Sequence, residues 1–197
     1  MKSYGTQKTE LLIRALILVI ALATVFLAFI VGCRSEKPPP SPAAVSLKAR
    51  IQANLGLFSP ELSKNLHKKN RQGVKGGLDR FYTELNGHEN GSYFFLALLD
   101  SHGVTITSRS KSAVNGVPNY GNYQVVAKVI QKKKVLQSSL YLQGGRQVYI
   151  ICAPLLNSGI TTGVLIIGID SDYMRQAGIS EREFMSQDYN TRDNGIR

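Results

Sequence analysis

Residues 94–109 read FFLALLDSHGVTITSR. Six apolar residues run up to Asp100, then Ser101-His102-Gly103 intervenes, then Val104-Thr105-Ile106-Thr107-Ser108-Arg109 alternates with period two. A short continuous apolar run fits a strand buried on both faces, and alternation fits a strand buried on one. Gly103 supplies the positive φ of the turn between them. The stretch is therefore a β-hairpin. A lone hairpin is marginal in water, so further strands must pair with it.

They follow downstream. Gly116, Pro118 and Gly121 break a polar stretch, after which Tyr123, Val126, Ala127 and Ile130 recur at helical spacing. Lys132, Lys133 and Lys134 stand where cations suit a helix C-terminus. Strands are predicted over 135–142, 148–156 and 162–170, separated by Gly144-Gly145 and Asn157-Ser158-Gly159. Three hairpin-linked strands make an antiparallel meander. Upstream, Ser59-Pro60-Glu61 reads as a helix start, with Ser as cap and Pro at the first helical position. Leu62, Leu66, Val74, Leu78, Phe81, Tyr82 and Leu85 form one stripe that skips a step at Asn70 and stops at Asn86-Gly87. Gly73, Gly76 and Gly77 weaken its middle by about 1 kcal/mol each relative to Ala. The fold class is α+β: a long amphipathic helix over 60–86, then a five-stranded antiparallel sheet with a covering helix and one face covered.

The phrases FFLALLDSHGVTITSR, GVPNYGNYQVVAKVI, VYIICAPLLNSG and TTGVLIIGID, in this order, resemble an extracytoplasmic Cache domain of the PAS-like type, over roughly residues 60–175. Such domains carry a D-x-x-G hairpin, a Gly-led loop into a short helix, an A-P-L/I strand and a closing G-V-L…D strand. The resemblance implies a small-molecule sensor domain outside the membrane, often dimeric and often preceded by a long helix. It also implies that Asp170 lies where many members place a ligand-contacting acid; a strand-end cap is the plainer reading of the same residue. The amino-acid-binding subset carries Arg and Trp in and near the short helix. Residues 120–130 have neither, which argues against that kind of ligand. Such domains also usually feed an output module on the same chain, whereas 27 mostly polar residues follow Asp170 here, so a signal would pass to a separate partner.

A chain of 197 residues allows one domain plus an anchor. The anchor is read at 15–32, ALILVIALATVFLAFIVG, a charge-free run of 18 residues. As a helix it spans about 27 Å, near the ~30 Å of bilayer hydrocarbon. Ile30-Val31-Gly32-Cys33 ends the run and resembles a bacterial lipobox, which implies lipidation of Cys33. A retained transmembrane helix and a lipoprotein signal both fit. Cations flank the run on both sides and barely orient it. The lipobox and the Cache resemblance place the N-terminus inside and the domain in the periplasm or outside. The expected division is 1–33 anchor or signal, 34–58 linker extended by the prolines at 38–42, 59–173 Cache-like domain with its sheet over 93–170, and 174–197 polar tail.

The net charge of +11 raises the question of an anionic partner. Lys64, Lys68, Lys69, Arg71 and Lys75 share the polar face of the predicted helix, which reads first as solvated surface. Aromatic residues do not interleave with them on the sheet, so nucleic acid is not an expected partner. Anionic lipid headgroups are the more accessible one. His67, His88 and His102 show no metal-ligand spacing, and neither a P-loop nor a nucleophile elbow is present. Asp100 heads a turn, and Cys152 lies inside a strand as a small apolar residue. Neither an enzyme nor a cofactor is expected. A PAS-like sheet closes a hollow with its helix and loops, and the polar groups read near it are Ser108, Arg109, Tyr123, Tyr141, Tyr149 and Asp170. The charge over 93–170 is +5, which leans towards an anionic ligand. The expected function is a membrane-anchored, extracytoplasmic small-molecule-binding domain acting through a partner. The alternative is an assembly lipoprotein that uses the same fold for protein contact.

Overall fold

The structure is a computed structural model that describes residues 39–87, 93–110, 120–142 and 145–190. The apolar run at 15–32 and Cys33 lie outside the described residues. Among the described residues, no helix is long and apolar enough to cross a membrane. Helix α1 is Pro42–His67 and α2 is Arg71–Asn86. Strands β1 (Phe94–Asp100) and β2 (Thr105–Arg109) form the hairpin. A 3-10 turn at Tyr120–Asn122 leads into α3 (Gln124–Lys132). The meander is β3 (Leu136–Tyr141), β4 (Gln147–Asn157) and β5 (Ile160–Asp170), followed by α4 (Ser171–Gln176) and α5 (Glu181–Ser186).

The five strands form one antiparallel sheet in the order β2-β1-β5-β4-β3. Ser158 and Gly159 both take positive φ between β4 and β5, the geometry a two-residue hairpin turn requires. Hairpin and meander join where β1 pairs with β5 from Phe94–Ile169 to Asp100–Gly163. Along β5, Leu165, Ile167 and Ile169 enter one core with α1 and α2, while Val164 and Ile166 enter a second core with Tyr120, Val126 and Val129. Successive strand residues point to opposite faces, so an uninterrupted apolar strand needs cover on both. The sheet is therefore covered on two sides, not the one expected from the sequence.

The helix predicted to begin at Ser59 begins instead at Ser41-Pro42, inside what read as a linker over 34–58. Ser41 caps it by accepting from the Ala44 N–H at 3.2 Å. Ala44, Leu47, Ile51, Leu55, Phe58 and Leu62 are all buried at spacings of three and four, and this stripe runs straight past Pro60. A proline inside a helix costs about 3 kcal/mol. Burying Leu55, Phe58 and Leu62 contributes about 2 kcal/mol each, which outweighs it. Pro60 itself stands on the exposed side.

The chain breaks at Asn70, where the stripe skipped a step, and not at the glycines. Lys69 adopts φ 55, and its N–H and that of Asn70 bond back to the carbonyls of Leu66 and Asn65. That is a Schellman stop. Asn70 then caps α2 by accepting from the Gly73 N–H at 3.1 Å.

Residues beyond 173 form part of the core, against the expectation of a loose polar tail. Met174, Ile179, Phe184 and Tyr189 are buried in the core shared with α1 and α2. Gln52 donates to the Asn190 carbonyl at 2.7 Å, the Val135 N–H donates to Asn190 Oδ1 at 2.8 Å, and Gln137 donates to the Gln187 carbonyl at 2.6 Å. Among the described residues the compact unit runs from Pro40 to Asn190, wider on both sides than 59–173.

Two substitutions test this architecture by urea denaturation of the full chain. Phe184→Ala should cost about 3–5 kcal/mol, the value for a core aromatic, whereas a loose tail would give under about 0.5 kcal/mol. At Gly168 an added Cβ would lie 1.8 Å from Phe95 Cε1. Gly168→Val should therefore destabilise by at least about 1–3 kcal/mol through overpacking.

Candidate functional site

The register of β1 against β5 decides which side chains can meet. Phe95 pairs with Gly168, and its ring lies across the space a larger residue would fill at 168. On this face the Tyr120 ring stacks near Phe95, with centroids 6.2 Å apart and planes at 20°. Tyr123 follows at 6.0 Å from Tyr120. The 3-10 turn brings residues three apart onto one side, and so sets Tyr120 beside Tyr123. Burial pushes the Tyr120 hydroxyl up to about 12, helped by nearby Tyr123 and Cys152. At neutral pH it remains a proton donor.

The same face ends in a charged pair. Asp170 closes β5 and is opposite Val148, and its side chain is only 13% exposed. One carboxylate oxygen accepts from the Asp172 N–H at 3.0 Å and caps α4, while the other is paired with Arg146. The cap reading of Asp170 is thus observed. Arg146 remains half exposed beside it.

Of the six residues read as site candidates, three share this face. Asp170 is at its edge and Tyr123 at the start of α3. Ser108, opposite Ala97 on β2, is half-buried there. The other three lie elsewhere. Arg109 is opposite Leu96, points to the α2 side and is paired there with Asp79, with Nη2 3.2 Å from Oδ2. Tyr149 is buried against Phe184 of α5 at 5.3 Å. Tyr141, on the outermost strand, is 70% exposed, and its neighbour Leu140 is the one that packs on the α3 side. Arg109, Tyr141 and Tyr149 therefore belong to no shared site with Asp170. The reading missed Phe95, Tyr120 and Arg146. The three-residue spacing of Tyr120 from Tyr123 was an available signal for one of them.

Cys152 is fully buried on the same face, and burial pushes its thiol up to about 12. Among the described residues, no three His, Cys, Asp or Glu side chains converge as a metal site.

No protein-family model matches the sequence, and no curated protein sequence matches it. Solved structures do resemble it. The extracellular domain of a protein described as a histidine kinase, vpHK1S-Z8, matches at TM-score 0.55 and 10% identity over 68% of this chain and 54% of that one. A domain of a sensory box/GGDEF family protein from Vibrio parahaemolyticus matches at TM-score 0.50 and 10% identity, over 72% and 61%. The ligand-binding domain of the Pseudomonas fluorescens chemoreceptor CtaA, in complex with L-leucine, matches at TM-score 0.50 and 15% identity, over 68% and 54%. The fold is Cache-like. This Cache-like chain spans roughly three fifths or less of the length of those structures. Identities this low show shared architecture alone.

Two measurements follow from these groups. In a Cys33→Ser chain at pH 8, Cys152 should resist iodoacetamide in the folded state and react in urea, because burial both shields the thiol and disfavours its thiolate. The Arg109 hydrogen bond holds the Asp79 carboxyl below its ordinary value. A lowered folded pKa gives stabilisation that is full above the unfolded value and is lost as pH falls through the folded one. Asp79→Asn should accordingly flatten the acid limb of the stability–pH curve, by a small amount because the pair is partly exposed.

Proposed function

We propose that this chain is a membrane-anchored, extracytoplasmic small-molecule-binding domain of the sensor type that acts through a separate partner protein. The convergence of Phe95, Tyr120 and Tyr123 with the Arg146–Asp170 pair on one sheet face under α3 carries this reading. Stacked aromatics offer a flat apolar bed, and Tyr hydroxyls add polar tips. Arg146 offers a fork of donors for a carboxylate or phosphate, and it can exchange Asp170 for the ligand's own anion. The +5 charge over 93–170 favours such a ligand. The apolar run at 15–32 supports the anchor, and the structures of similar fold named above include an extracellular domain and a ligand-binding domain.

A thermal-shift screen of the full chain in detergent against small carboxylates and other metabolites tests the proposal. A true ligand at a hundred times its dissociation constant should stabilise by about 2.7 kcal/mol. Arg146→Gln and Tyr123→Ala should each abolish the shift while leaving the circular dichroism spectrum intact. A screen with no stabilising compound would refute the proposal. The second reading, an assembly lipoprotein, draws on Val45 and Leu57, which are 50% and 67% exposed on α1. It predicts that Leu57→Asp abolishes a stable protein complex without any ligand-dependent shift.

A further inference from the structure

The break between α1 and α2 opens a groove of about 650 Å³ against the β1–β2 hairpin, on the α1/α2 side of the sheet and away from the face under α3. Lys69, Arg71 and Lys75 line it together with a single acid, Asp100. Asp100 already accepts the N–H groups of His102 and Val104, both at 2.9 Å. Among the described residues, none of the three cations forms an ion pair. Three cations against one acid leave the groove with a net positive charge, although Asp79 lies close enough to Lys75 to feel its field.

Two features of the backbone make this cluster costly to keep. The left-handed stop of α1 falls on Lys69 at φ 55, where glycine is the usual residue. Arg71 and Lys75 occupy the opening turns of α2, whose first turn contains no acid. The N-terminus of a helix is the positive end of its dipole and disfavours cations. Positive charge from the stop of one helix and the start of the next thus meets in one concavity. An anion there would relieve the second conflict by offsetting the cations at the start of α2. Asn65 adds an amide and Thr107 a hydroxyl at the rim. The remaining wall is apolar, so the groove suits an anion attached to an organic body.

We infer that this elbow groove binds a phosphate-bearing group, with Lys69, Arg71 and Lys75 as its charge partners. Several cations converging beside a helix N-terminus suit a multiply charged tetrahedral anion. A soluble phosphomonoester and a lipid headgroup share that chemistry.

The test titrates the full chain in detergent with inorganic phosphate and, separately, with dihexanoyl phosphatidic acid, following the thermal midpoint and the ³¹P line width. A saturable rise in midpoint with either probe is expected, weakening with added salt. Equal apparent affinity for the two marks a free phosphate as the source, and tighter binding of the phosphatidic acid marks a headgroup. Arg71→Gln with Lys75→Gln should weaken binding by about tenfold. Lys64→Gln with Lys68→Gln removes the same charge from exposed positions outside the groove and should leave affinity within about twofold. No saturable response to either probe overturns the inference. Equal weakening in both double variants also overturns it, because the attraction would then be diffuse.

Discussion

The pairing of β1 with β5 is the constraint on which the rest depends. These are the first and last strands among the described residues, and they pair over the full length of β1. Without that ladder the hairpin and the meander would be two separate pieces, each too small to bury its apolar faces. Bringing distant segments together costs loop-closure entropy, and two-sided burial offsets it. Phe94, Leu96 and Leu98 seal one side, Ala97 and Leu99 the other. The close passage of Phe95 over Gly168 fixes the register, because a slip of one residue would exchange the two faces.

That alternation also sorts the candidate site. Ser108 and Arg109 are neighbours in sequence, yet one faces α3 and the other is tied to Asp79 on α2. Tyr149 is set apart from Asp170 by the same parity. Polarity, joined at Asp170 by the Cache resemblance, suggested these residues as one group, and parity within the paired strands divides them. The parity could be read only once the pairing partners were known, which a single sequence does not disclose.

The hairpin, the short helix and the meander were legible because glycine turns and charge punctuate them sharply. The start of α1 was not, since the prolines at 38–42 resemble a spacer and Ser59-Pro60 imitates the cap grammar of Ser41-Pro42. The skipped step at Asn70 was legible as an irregularity, and it proved to be both a helix stop and a helix cap. The closing segment was hidden for another reason. Its buried residues Met174, Ile179, Phe184 and Tyr189 recur every five positions, which matches neither helix nor strand periodicity. A run of short helices and turns leaves that kind of trace.

The contact of α5 with the first turn of α1 has a mechanical meaning. Glu183 accepts the backbone N–H of Ser41, which holds its carboxyl below the ordinary range. Ser41 is the residue through which any tether at the N-terminal side must pull. A tug there is shared at once with α5, and through Gln137 and Ser139 with the outermost strand β3. A pull on the start of α1 would therefore be borne by a clasp that α5 closes.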